Sequence, residues 1–186
     1  MSQKEDTKIL FGTKGGFAIA KLIFNYPHKK YHIRELAKET GYSTTAIVGG
    51  IELLEKYKII KTELGAVTKD IQADLESDAY KHYKLIFNLY RLTRHNIVDS
   101  LVNYFNNPGC IVLFGSFAKE RQNGNSDIDL ALVFGYVNDI IDLQISLMKI
   151  RTNKDLMIEP HPFAQKDFKE TEPIVAEILR TGIPLV

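Results

Sequence analysis

The chain has 186 residues, of which 45% are hydrophobic and 25% charged, and its formal net charge is +1. That length allows one domain or two small ones, and that composition excludes an intrinsically disordered chain. There is no apolar run of about 18 residues, the length a membrane-spanning helix needs, so no membrane partner is expected.

The charge is unevenly spread. Residues 1–107 hold 16 Lys/Arg against 12 Asp/Glu, whereas residues 108–186 hold 8 against 11. A mildly basic front half and an acidic back half suit two domains with different partners. The single cysteine, Cys110, excludes an internal disulfide. The first residues, Met-Ser-Gln-Lys-Glu-Asp, lack the apolar centre of a signal peptide. The expected compartment is the cytoplasm.

Residues 12–16, Gly-Thr-Lys-Gly-Gly, do not have the spacing of a phosphate-binding P-loop. They read as a loop before a helix over Phe17–Phe24, which Pro27 stops. A short helix follows from His32, with Ile33, Leu36 and Ala37 turned inward. Gly41 supplies a tight turn, and Ser43 or Thr44 can cap the next helix. In that helix Ile47, Ile51 and Leu54 recur at i, i+4 and i+7, a core stripe. Gly49-Gly50 in its middle costs about 1 kcal/mol each relative to alanine. Either a close helix crossing or a kink could explain the pair. Ile59–Leu64, Gly65 and Val67–Ala73 read as a two-stranded hairpin.

Two helices joined by a tight turn and followed by a hairpin resemble a winged helix-turn-helix, here over residues 1–76. A version that binds double-stranded DNA would present Ser43, Thr44 and Thr45 to base edges and Lys56 and Lys58 to phosphates. A version that binds a partner protein would leave those lysines solvated. Ser77-Asp78 then caps a long helix, expected over Ala79–Asn106, that connects the domains across residues 77–107. Its apolar residues lie on several faces, so it is packed by both domains or pairs with a second copy as a homodimer. Asn106-Asn-Pro-Gly109 ends it.

Residues 108–186 carry the chemistry. Cys110–Phe114 reads as a buried strand, and Gly115-Ser116 as a turn with free backbone N–H groups that suit a phosphate. Ten residues later comes Ser126-Asp127-Ile128-Asp129, leading into a second strand. By strand alternation Ile128, Leu130, Leu132 and Phe134 share one face, and Asp127 and Asp129 the other. Two carboxylates at i and i+2 repel, and a hard divalent cation offsets the repulsion. Val137–Arg151 reads as an amphipathic helix and Asp155–Glu159 as a third strand. Asp155 and Glu159 share a face of that strand, and either could join the first two acids. His161 reads as a solvated loop residue. A last helix runs over Thr171–Arg180.

The stretch Gly115-Ser116, ten residues, Asp127-x-Asp129 resembles the signature of the polymerase-beta-type nucleotidyltransferases, in particular their minimal branch. The resemblance implies an α+β fold: a short mixed sheet with flanking helices, behind the winged helix-turn-helix and the connecting helix. It implies a magnesium-dependent transfer of a nucleoside monophosphate from a nucleoside triphosphate, expected to be ATP, to a hydroxyl acceptor. Two Mg2+ ions would be held by Asp127, Asp129 and a third carboxylate. The family's placement of that acid before a proline-containing loop favours Glu159, which could also take the acceptor proton. Gly115 and Ser116 would hold the triphosphate, and Lys119 would neutralise it. The family often has glycine where this chain has Glu120, a carboxylate that repels a triphosphate. Two other readings fit the same residues. One is a non-catalytic DNA-binding transcriptional regulator whose second domain senses a nucleotide or dimerises. The other is an antitoxin-like adenylyltransferase acting on a partner protein.

Overall fold

A computed structural model describes residues 11–65, 68–105, 108–119, 126–135 and 158–186. The expected helix over Val137–Arg151 lies outside these residues, as do Glu120 and Asp155. The chain divides into two compact units, Met1–Phe87 and Asn88–Val186.

In the first unit, α1 (Lys14–Asn25) starts earlier than its apolar residues predict. Thr13 supplies the reason: its side chain accepts a hydrogen bond from the Gly16 N–H and caps the helix. Helix α2 (Ile33–Thr40) ends at Gly41, whose φ of +73° is the left-handed conformation that glycine adopts without cost. Helix α3 (Thr44–Lys56) is capped by the Ser43 side chain. Strands β1 (Ile60–Leu64) and β2 (Lys69–Ala73) then pair antiparallel, with Ile60 opposite Ala73. Tyr31, between α1 and α2, forms an isolated bridge with Ile71 of β2. Ile19, Ile23, Leu36, Ile47, Leu54 and Ile71 are fully buried together and hold the unit closed.

The glycine pair in α3 has two separate explanations. A side chain on Gly50 would come within 2.8 Å of the Gly16 backbone nitrogen, and one on Gly15 within 2.5 Å of the Ala46 carbonyl oxygen. Gly50 is therefore the point where α1 and α3 cross at backbone contact. Gly49 faces open space, and α3 runs through both without interruption.

The expected single helix over Ala79–Asn106 is two helices, α4 (Asp78–Arg94) and α5 (Ile97–Tyr104). Asn96 breaks them apart with φ +49° and ψ +36°. Asparagine is one of the few residues that tolerates this left-handed conformation. The boundary between the two units falls within α4.

The second unit is built on a four-stranded sheet in the order β5-β4-β3-β6. Its strands are β3 (Cys110–Phe114), β4 (Ile128–Phe134), β5 (Ile158–Ala164) and β6 (Ile183–Pro184). The four-residue helix α6 (Gly115–Ala118) follows β3 directly, and α7 (Pro173–Thr181) precedes β6. Strand β4 runs antiparallel to β3 and parallel to β5. The sheet has two apolar faces. Ile111, Leu113, Ile128, Leu130 and Leu132 pack with Leu92, Ile97 and Leu101 on one side. Val112, Phe114 and Ala131 pack with Ile178 of α7 on the other.

The third strand differs from its sequence expectation. Asp155–Glu159 was expected to be strand and the residues after it a loop. Asp155, Leu156 and Met157 lie outside the described residues; from Ile158 the strand continues past Glu159 through Pro160, His161 and Pro162. Among the described residues β5 lies at the edge of the sheet, the position where strands tolerate proline.

Candidate functional site

The site gathers at one end of the sheet, where β3 finishes and β4 and β5 begin. Strand register brings its residues together. Phe114, the last residue of β3, is paired with Asp129 of β4, and Asp129 is paired with Glu159 of β5. Paired residues point to the same side, so all three side chains lie on the α7 face. His161 stands two residues after Glu159 and therefore shares that face.

Gly115 is fitted to this end of the sheet in two ways. Its φ is +68°, and a side chain there would lie 2.2 Å from Asp129 Oδ2. The backbone thus approaches the Asp129 carboxylate as closely as only glycine permits. Ser116 follows on the first turn of α6, half-buried. Asp127 lies just before β4, two residues from Asp129 and also half-buried.

One cluster among the described residues has the make-up of a cation site. Ligand atoms of Asp129, Glu159 and His161 all lie within 4.8 Å of one another. His161 Nε2 is 3.4 Å from Asp129 Oδ1. The imidazole is also seated edge-on against the Phe114 ring, with centroids 5.0 Å apart and planes at 68°. Asp129 and His161 keep 25% and 29% of their side-chain surface, so a solute can reach them. Two carboxylates and an imidazole fit a divalent cation, which would offset the repulsion between the acids. Asp127 is not part of this cluster.

Lys119 is placed elsewhere. Its Nζ is 2.6 Å from Glu177 Oε1 on α7, a part-buried ion pair. In the first unit Ser43, Thr44 and Thr45 are exposed at the start of α3. Lys56 and Lys58 are exposed at its end, with Lys58 in a left-handed conformation at φ +56°. These five residues therefore occupy opposite ends of one helix.

His161 is the residue that sequence reasoning undervalued. Its signal was present, since Glu159-x-His161 has the i, i+2 spacing of one strand face, but the flanking prolines read as a loop. No helix among the described residues is long and apolar enough to cross a membrane.

No curated protein and no solved structure matches the chain significantly. Residues 95–186, which hold every group at this end of the sheet, match the family model described as Polymerase beta, Nucleotidyltransferase. That match points broadly to nucleotidyl transfer, and it supports assigning this part of the chain to the polymerase-beta-type nucleotidyltransferase superfamily.

Proposed function

We propose that the second unit transfers a nucleoside monophosphate from a nucleoside triphosphate, ATP by expectation, to a hydroxyl acceptor. The observation that carries this reading is the contact of Gly115 with Asp129. A glycine turn meant for phosphates and a carboxylate meant for cations are built against each other. Asp127, Asp129 and Glu159 would hold two Mg2+ ions, which supply charge stabilisation for both the attacking and the leaving oxygen. Asp129 and Glu159 face one another across adjacent strands and share that load. Glu159 would also take the proton of the acceptor hydroxyl. Gly115 and Ser116 offer backbone N–H groups to the triphosphate. Lys119 adds positive charge once it leaves Glu177.

The first unit reads as a winged helix-turn-helix. Two helices meet at the left-handed Gly41, and the hairpin that follows is tied back to Tyr31. Exposed hydroxyls at the start of α3 favour a role in targeting double-stranded DNA.

The test is calorimetry of the full chain with ATP, with and without Mg2+. Asp127→Ala is expected to weaken Mg2+-dependent binding at least tenfold, about 1.4 kcal/mol. Equal affinity with and without Mg2+ in the wild-type protein would overturn the two-ion reading. Transfer of label from α-labelled ATP to a component of cell lysate would then identify the acceptor.

A further inference from the structure

We propose that His161 is itself a metal ligand, so that the Asp129–Glu159–His161 site prefers a first-row transition ion to magnesium. This rests on the nucleotidyltransferase reading only in using the same carboxylates; the metal preference follows from the donor set.

Three observations support it. The first is convergence: one donor atom from each of the three side chains falls within 4.8 Å of the others. The second is the spacing of His161 Nε2 and Asp129 Oδ1. At 3.4 Å they are farther apart than the usual range of about 2.7–3.2 Å for N–H···O hydrogen bonds. Two donors each bound at about 2.1 Å, with a right or tetrahedral angle at the ion, stand about 3.0–3.4 Å apart. The pair is therefore spaced as two corners of one coordination shell. The third is support for the ring. The Phe114 ring packs against the imidazole, and the residue of β4 in register with His161 is the small Ala131.

The donor types decide which ion is favoured. Magnesium takes hard oxygen ligands and gives up its waters reluctantly. Imidazole is an ordinary ligand of first-row transition ions, and two carboxylates beside it suit manganese or zinc. An all-oxygen set would give a weaker preference and no nitrogen in the coordination shell.

The probe is Mn2+ alone, without nucleotide, bound to the full-length protein and followed by electron paramagnetic resonance with Mg2+ as competitor. Wild-type protein is expected to bind Mn2+ at least tenfold more tightly than Mg2+ and to show nitrogen coupling from one imidazole. His161→Ala should lose the nitrogen coupling and bind Mn2+ about tenfold more weakly, with Mg2+ affinity little changed. His161→Asp should restore divalent binding without the coupling and move the preference toward Mg2+. This second variant guards against a loss caused by misfolding. Unchanged Mn2+ affinity in His161→Ala, or no nitrogen coupling in the wild type, would overturn the proposal and leave His161 as a polar neighbour of Asp129 with no part in ion binding. Nitrogen-coupled Mn2+ in a protein that transfers no nucleotide would support the ligand assignment and count against the proposed activity. Transfer supported by Mg2+ without nitrogen coupling would do the reverse.

Discussion

The replacement Gly115→Ala tests whether the turn after β3 and the Asp129 carboxylate form one unit. Alanine at this position faces two costs. The first is conformational: φ is +68°, and a residue with a side chain loses about 1–2 kcal/mol in that region. The second is steric. The new methyl would lie 2.2 Å from Asp129 Oδ2 and 2.9 Å from its Cγ. The carboxylate can rotate away, but it then leaves Glu159 and His161. For a unit of about 100 residues, 1 kcal/mol moves the melting temperature by about 4–8 °C, so a fall of about 4–16 °C is expected. Divalent-ion affinity should fall as far as in Asp129→Ala, although Asp129 is still present. Gly109→Ala is the control, because its side chain meets only the Val133 carbonyl oxygen at 3.6 Å, an ordinary contact. The assays are thermal unfolding by circular dichroism and Mn2+ binding. Wild-type melting together with wild-type ion affinity in Gly115→Ala would refute the reasoning.

Two more outcomes concern the first unit. If it binds duplex DNA, affinity should fall steeply with salt as counterions are released, and Lys56→Ala with Lys58→Ala should lower the slope of log affinity on log salt by about 2. No duplex binding at low salt would leave the partner-protein reading. The second outcome concerns acid stability. Hydrogen bonding from Lys29 holds the Glu35 carboxyl below its ordinary value. A carboxyl lowered by folding adds stability that is complete above its unfolded pKa of about 4.3 and is lost as pH falls through the lowered value. Lys29→Met should therefore flatten the acid limb of the stability curve as pH falls below the unfolded carboxyl value of about 4.3, read by urea unfolding. An unchanged slope would mean that another group sets it.

What the sequence disclosed depended on how local each signal is. Strands β3 and β4 are legible because the apolar run of β3 and the alternation that opens β4 are each complete within the strand. The turn at Gly41 and the cap at Ser43 are legible for the same reason. The break at Asn96 was hidden, since helical spacing continues on both sides and only one residue leaves the helical region. The position of β5 was hidden by its prolines, which usually mark loops and are tolerated here by the edge of the sheet. Its register was beyond local reading altogether. Asp129 and Glu159 are neighbours through parallel pairing of strands 30 residues apart, and nothing within either strand states the offset. The approach of Gly115 to Asp129 has the same origin: the sequence shows two motifs ten residues apart but not that they touch.

The prolines of β5 have a consequence of their own. Proline has no amide hydrogen, and in a strand the residues that bond to one neighbour alternate with those that face the other way. Glu159, His161 and Phe163 are the alternate residues able to donate to β4, so Pro160 and Pro162 face the other way, which among the described residues is the outward rim of the sheet. An unfinished rim normally offers a template on which another chain can continue the sheet. Here two successive donor positions are blank, at the end of the sheet that must stay open to solutes. The same two residues that disguise the strand in the sequence make it a poor seed for strand addition and for growth into fibres.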